Sequence, residues 1–523
     1  MKNALVSVYH KGGIVEFVQA LVGLGFTIYA SGGTFKHLTT NGIKALPVAD
    51  LVGGEAILGH RVVTLSREVH AGLLAKNTPE DIAELANLTI PRLDLVCVDL
   101  YPLEAEIAKP DSTRESVIEQ TDIGGPTMIR SATKGGRVVV CDPQDRQRVI
   151  DWLKAGEPAN GFVEELGAKG EFVIAHYCMA SATYLSDGRY AGFSGERVAT
   201  CKYGENAWQA PAYLYSTGTG DPLALDKFVV IEGASPSYNN WADIDRLLQT
   251  AGHIARAFAI NTGESPAIAI GAKHGNMCGA AVGAVGKEVL EKMMSGDPLA
   301  IFGGLVMTNF EIDEASCEVL VGKMLDGIIA PAFTDDTIAM LRRKGDKCRF
   351  VVNHALSELG NSLDGAPRFR YVRGGFLMQP NYTFVPVFSS EVVKKYGPVE
   401  EAQQDDVLLA WAIGSTSNSN TITLVKGGKL IGNGVGQQDR VGAANLAITR
   451  ARRSGHDLTG AVAYSDSFFP FPDGPQTLID AGVKVIFTSS GSVKDQLTID
   501  VCARHSVALY MIPDQIGRGF FGH

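Results

Sequence analysis

The sequence predicts an α/β protein built on parallel sheets, and three observations predict it. Short apolar runs alternate with segments of helical periodicity in the N-terminal part, and that alternation produces a parallel sheet with helices on both faces. Similar apolar runs return in the C-terminal part, where several end in Gly, Asn or Ser. A chain of 523 residues exceeds what one core serves, so two or more domains are expected.

In chain order, ALVSVY (4–9) reads as the first strand. Ile14, Phe17, Val18, Leu21 and Val22 then recur at helical spacing, and Gly23 and Gly25 stop that helix. FTIYA (26–30) is the next strand and runs into SGGT (31–34); LDLVCVDL (93–100) and RVVVC (137–141) follow, and DRQRVIDWLKAG (145–156) reads as a helix. The Gly-rich SDGRYAGFSGERV (186–198) is the best linker, which puts a boundary near residue 195 and domains at 1–195 and 196–523. Beyond it, AIAIGA (267–272), LAIFGGLVMTN (299–309), GIIAPAF (327–333), TITLVKGGKLIGNGVG (421–436), AVAYS (461–465) and VKVIFT (483–488) are strand-like, with no clean sequence repeat. Ligands of such sheets bind beyond the carboxyl ends of strands. SGGT, DLYPL (99–103) and the start of DIGG (122–125) fall at or near such ends.

Composition narrows the function classes. Hydrophobic content of 45% and charged content of 20% are ordinary for a globular protein. A formal net charge of −10 argues against nucleic acid as the main partner, because phosphate backbones want a basic surface. No apolar run approaches the ~20 residues of a membrane helix, and the first residues do not form a secretory signal. Eight scattered cysteines without a CxxC pair indicate neither a zinc site nor a disulfide framework, so the expectation is a cytoplasmic protein without a catalytic metal.

The most informative stretch is KHGNMCG (273–279), directly after the apolar run AIAIGA. Lys273 is a point cation and donor. His274 is the side chain that titrates nearest neutrality, and Gly275, Asn276 and Gly279 allow a tight turn and close approach to a ligand. The pairing suits general acid–base chemistry on a small molecule, although many Lys-His pairs are simply a solvated strand end.

YGENAWQ (203–209), SYNN (237–240), DPLAIFGG (297–304), DGIIAPAF (326–332 and Phe333), SNSNT (417–421), GVGQQDR (434–440) and SDSFFPFPDG (465–474) appear in that order around KHGNMCG. Together they resemble the transformylase domain of the bifunctional purine-biosynthesis family, aminoimidazole carboxamide ribonucleotide (AICAR) formyltransferase fused to inosine monophosphate (IMP) cyclohydrolase. Upstream, SGGT, RVVTL (61–65), DLYPL and DIGGPTMIRSATK (122–134) resemble its cyclohydrolase domain. The resemblance implies a methylglyoxal-synthase-like parallel-sheet domain followed by two cytidine-deaminase-like lobes. It also implies 10-formyltetrahydrofolate as co-substrate, AICAR and its formylated product (FAICAR) as substrates, and a homodimer. No redox cofactor is implied, and a bound monovalent cation is left open.

By that resemblance His274 accepts the amine proton, Lys273 assists the departing folate nitrogen or stabilises developing negative charge, and Asn420 hydrogen-bonds the formyl oxygen. Lys202, Tyr203, Asn240, Phe302, Gly303, Asp326, Phe468, Phe469, Asp473 and Arg518 match substrate-contact positions. Phe302 and one FFPF ring are suited to stacking, while Lys202 and Arg518 suit a phosphate. In isolation, FFPF is more often core, Asp326 a strand-edge carboxylate and Arg518 a surface cation. In the first domain Ser7, Lys11, Ser31, Gly33, Thr34, Arg61 and Thr64 match phosphate-binding and neighbouring positions, and Tyr101, Asp122 and Lys134 match the catalytic centre.

The departures cluster. The family's RVKTLHP run reads RVVTLSR here, so Val63 stands where a lysine is expected and Ser66-Arg67 where His-Pro is expected. Asp99 replaces an Asn, Lys202 an Arg, and Ala207-Trp208 a Pro-His. Three readings stay open for the first domain: another cation such as Arg67 substitutes, ring closure is slow, or the domain only binds nucleotide. A non-catalytic purine-nucleotide binder is the alternative from a different class.

Overall fold

Ala4, Leu5 and Val6 lose all solvent contact, which places the first strand at the centre of a sheet. The computed structural model describes residues 2–59, 61–361, 363–398 and 400–522. The chain divides into two compact units, one up to Ser194 and the other from Gly195.

The first unit holds β1 (Lys2–Ser7), β2 (Phe26–Ala30), β3 (Leu46–Pro47), β4 (Leu95–Val98) and β5 (Val138–Val140). Their order is β3-β2-β1-β4-β5, all parallel. The expected strand at 4–9 ends earlier, at Ser7, because the Tyr9 and His10 amides leave the sheet and donate to the Asp99 carboxylate. Helix Ile14–Gly23 buries Ile14, Phe17, Val18 and Leu21 on one stripe, as the periodicity requires. The longest helix here, Phe162–Leu185, is absent from the sequence reading. Its contact face includes Gly167 and Gly170 rather than a continuous apolar stripe, and a Cβ on Gly170 would lie 2.8 Å from Ile129.

The second unit opens with a two-stranded sheet, β6 (Glu196–Cys201) and β7 (Ala212–Ser216). Next come β8 (Val229–Glu232), β9 (Ala267–Lys273), β10 (Asn276–Gly283), β11 (Leu305–Thr308), β12 (Gly327–Ala330) and β13 (Arg349–Val352). A hairpin of β14 (Arg368–Val372) and β15 (Gly375–Gln379) separates these from β16 (Lys394–Tyr396), β17 (Ile422–Val425), β18 (Leu430–Gly434), β19 (Val462–Ser465), β20 (Val485–Ser490) and β21 (Ala508–Pro513). The two six-stranded sheets read β10-β9-β11-β12-β13-β8 and β18-β17-β19-β20-β21-β16. Their pairings match step for step: antiparallel, antiparallel, parallel, parallel, antiparallel. The unit is therefore two lobes of one plan, although its sequence shows no repeat.

Each lobe places a long helix before its hairpin, Tyr238–Thr262 in the first and Glu401–Ser415 in the second. The two helices share one apolar cluster that includes Leu247, Ile254 and Trp411. The hairpins lie side by side and antiparallel: Ala281 bridges Lys429, and the Asn433 side-chain amide donates to the Met277 carbonyl at 3.2 Å. That register sets the Lys273–Asn276 turn at the same end as Gly434 and its partner Ile422. LAIFGGLVMTN yields only β11, because Ile301 and Gly304 close turns on Asp297 and Ile301. Among the described residues no helix is long and apolar enough to cross a membrane.

Gly434 packs β18 directly on helix Arg440–Arg453, where an added Cβ would overlap the Ala443 carbonyl oxygen. Gly434→Ala should therefore cost about 1–3 kcal/mol through forced separation of strand and helix, measured as a lower denaturation midpoint of the full chain.

Candidate functional site

Three polar clusters form where the strand ends meet. The first surrounds Lys273 and His274. Leu305 pairs with both Ala272 and Gly327, so Lys273, Gly303 and Asp326 fall on one edge of the first lobe's sheet. The Lys273 ammonium donates to the Phe302 carbonyl at 2.5 Å. The Phe302 ring is 59% exposed beside it, available to a flat ligand. Asp326 faces Arg343 at 3.6 Å. His274 holds a left-handed backbone (φ 54°), which a residue with a Cβ adopts only when its surroundings fix it. One fixing contact is buried Asp243, whose carboxylate accepts the Gly275 N–H at 2.6 Å. Burial pushes the Asp243 carboxyl above the usual range, while its bonds to the turn amides and the His274 charge pull it back.

The second cluster sits beyond the carboxyl ends of β19, β20 and β21, the position at which such sheets take ligands. Asn420 donates its side-chain amide to the Gln437 carbonyl at 2.9 Å. Its neighbour Ser419 bonds to Asp466, which is fully buried and lies 3.6 Å from Arg440. Asp514 accepts from Ser467 (3.1 Å) and Ser489 (2.6 Å), and Arg518 stands 3.6 Å from it. Arg246 ties the loop from behind: it donates to the carbonyls of Thr416 and Phe521 and to the Asn418 side chain.

The third cluster belongs to the first unit. Ser7 and Ser31 share a hydrogen bond of 2.8 Å at the ends of β1 and β2. Thr34 exchanges hydrogen bonds with Val8 at 3.1 Å, and the Lys11 ammonium donates to the Val8 carbonyl and reaches Thr34 at 3.4 Å. Gly33 lies in the first turn of the helix Gly32–Thr40, which presents its amino end to the same place. Burial lowers the Lys11 pKa, with Asp99 opposing the shift. Asp122 accepts the Gly125 N–H at 2.8 Å, and buried Thr64 abuts Gly124. Tyr101 stacks edge-on against Tyr9 at 5.7 Å. Its phenol is pushed up by burial and, secondarily, by Asp122.

Several expected residues fall elsewhere. Phe469 is only 2% exposed and belongs to the second lobe's core, against Gly474, so it cannot stack on a ligand; Phe468 is half-buried and still can. Lys134 ends the helix Gly124–Lys134, about 15 Å along the axis from the Asp122 end, and lines a separate groove with Arg130 and Cys178. Within one chain it does not meet Asp122. Arg61 is exposed and held by a two-point bond to Glu119. Asn240 completes a capping box with Ser237, and Asp473 accepts the Gly474 amide. Lys202 is exposed, while the Tyr203 carbonyl accepts from Tyr238 at 3.1 Å. Val63 packs on the apolar cluster of Val69 and Leu73, and Arg67 turns to Glu68.

The sequence reading passed over Asp243, Asp466 and Arg246. A signal exists for the first. Asp243 lies on the buried stripe of its helix with Asn240, Ile244 and Leu247, and a carboxylate on an apolar stripe is rarely idle.

Asp122 gives a pH test. Burial raises its carboxyl above the ordinary value, outweighing the amide bonds that lower it. A raised folded-state pKa means that folding favours the protonated form. That stability is present below the unfolded carboxyl range and is lost as pH rises through the folded value. Asp122→Asn, which mimics the neutral form, should raise the thermal midpoint at pH 7, with the gain vanishing below about pH 4.

The profile of the AICARFT/IMPCHase bienzyme family matches residues 136–450, and that of the MGS-like domain matches residues 13–127. A solved structure titled "Crystal structure of ForH" is similar at 30% identity over 36% of this chain and 100% of its own, with a TM-score of 0.32. With the family profile covering more than half of its residues, the chain belongs to the AICARFT/IMPCHase bienzyme family of purine biosynthesis.

Proposed function

We propose that the second unit transfers the formyl group of 10-formyltetrahydrofolate to the 5-amine of AICAR, and that the first unit closes the product to IMP. The observation that carries the first half is the Lys273–His274 turn, held in a left-handed conformation at a sheet edge beside an exposed ring and a carboxylate. The amine attacks the formyl carbon while His274 takes its proton. The bond from formyl carbon to folate nitrogen breaks, and that nitrogen is protonated, a role we assign to Lys273. Asn420 supplies a donor for the oxygen of the tetrahedral intermediate. Phe302 and Phe468 stack on flat rings, and Arg518 and Lys202 are the cations for the phosphate.

A monovalent cation would find its acceptor at Asp466, whose Oδ1 is buried without a hydrogen-bond partner. That oxygen already faces the Arg440 guanidinium at 3.6 Å, so such a cation would share the carboxylate with Arg440. A homodimer is favoured by the hairpin of β14 and β15, which among the described residues forms a two-stranded sheet by itself yet exposes Tyr371, Leu377 and Met378. Free cysteines throughout the described residues fit a reducing cytoplasm.

In ring closure the carboxamide nitrogen attacks the formyl carbon and water leaves. Ser7, Ser31, Gly33, Thr34 and Lys11 form the phosphate cradle, with Asp122 and Tyr101 beside it. A second reading, a formyltransferase whose first unit only binds nucleotide, is favoured by two observations: Val63 is packed in apolar surroundings, and Lys134 lies at the far end of its helix.

Incubation with AICAR and 10-formyltetrahydrofolate, with chromatographic separation of products, tests both halves. IMP formed faster than in a protein-free control supports both activities. Accumulated FAICAR supports the second reading, and no turnover overturns the transferase. His274→Ala should lower formyl transfer by about 100- to 10,000-fold. Val63→Lys should accelerate IMP formation from supplied FAICAR without changing formyl transfer, as read in separate assays.

A further inference from the structure

The duplicated plan of the two lobes isolates one side chain. Asp243 is the sixth residue of helix Tyr238–Thr262, and Asp406 is the sixth residue of helix Glu401–Ser415. Each helix precedes a hairpin, and each carboxylate caps that hairpin's turn. Asp243 accepts the Gly275 N–H at 2.6 Å; Asp406 accepts those of Gly427 and Gly428 at 2.8 and 2.6 Å. Both acids are buried. The turns differ in what they carry: Lys273-His274-Gly275 in the first lobe, Lys426-Gly427-Gly428 in the second. Lys426 is paired with Asp457 at 2.8 Å on the surface. One lobe therefore shows what the capping carboxylate does for a hairpin without a histidine.

We propose that Asp243 is a positioning residue for His274: it fixes the turn that aims the imidazole and supplies the buried negative charge against which the imidazolium forms during proton transfer. The inference rests on His274 being the group that takes the amine proton. His274 is exposed while Asp243 is buried, and a buried, oriented carboxylate favours the cation of a neighbouring base. The turn needs that support twice over, since His274 has a positive φ and its own carbonyl is already occupied by the Asn276 amide at 2.9 Å. Arg246, one turn further along the same helix, makes its hydrogen bonds to the Asn418 loop and Phe521 and acts on Asp243 only through space, as a smaller influence than the Gly275 amide and His274.

Asp406 supplies the control. Asp243→Asn keeps an oxygen for the Gly275 amide and removes the charge; Asp406→Asn makes the same change where no histidine follows. Formyl transfer by the full chain, with kcat and KM measured separately and thermal midpoints recorded, should show kcat down about 10- to 100-fold for Asp243→Asn with KM within about threefold. Asp406→Asn should stay within about threefold on kcat. Asp243→Glu, which restores the charge, should recover kcat relative to Asp243→Asn. In a His274→Ala background Asp243→Asn should cost nothing further, because the two act as one unit. Equal losses in the Asp243 and Asp406 variants, full additivity with His274→Ala, or an Asp243→Asn chain that folds only when charge is restored yet turns over no faster would each overturn the proposal. Loss of the transferase reading is distinct, since it requires an inactive wild-type protein.

Discussion

Burial of two helices between sheets governs the second unit. From Val407 to Ile413 every residue is essentially without solvent, so that stretch must be apolar on all sides. The middle of helix Tyr238–Thr262, residues 250–255, is similarly enclosed, beginning with a buried Thr250 that shares a hydrogen bond with Thr416. Once these helices occupy the interior, the strand ends and hairpin turns are what remain for polar chemistry. Lys273, His274, Asn420 and Arg518 all sit on such ends. The carboxylates that reach them, Asp243 and Asp466, stand at the margin between core and rim, where an acid can be buried and still touch the working loop.

The first unit follows a different rule. Its cradle is made almost wholly of small side chains and backbone at the ends of β1 and β2, with Lys11 as a partly buried cation. Such a site binds an anion through geometry more than through charge. Such a design is compatible with a net charge of −10 on the whole chain.

Much of this was legible in the sequence, for identifiable reasons. Helix Ile14–Gly23 and strand β2 announced themselves because one face or one run is apolar and the ends are marked by glycine. The Lys-His turn was visible because two rare functional types adjoin at a strand end. Helix Phe162–Leu185 was not, since glycines make part of its interface and periodicity counts only greasy residues. The two lobes were expected from the family resemblance alone and left no trace in the periodicity: pairing order and direction repeat while side chains do not. Phe469 and Phe468 are neighbours of the same type, and only the structure separates the core ring from the accessible one. Lys134 shares a motif with Asp122, yet one helix holds them at opposite ends.

The paired lobes also bear on how such a protein can change. Two hairpin turns of equal architecture exist, and the first carries a histidine where the second has Gly427. The other is a spare copy of the scaffold, free of chemical duty, in which Gly427 and Gly428 already tolerate positive φ. Selection acting on the first turn must preserve chemistry and shape at once, whereas on the second it constrains shape alone. New chemistry therefore has a ready-made place to arise, without first disturbing the turn to which we assign formyl transfer.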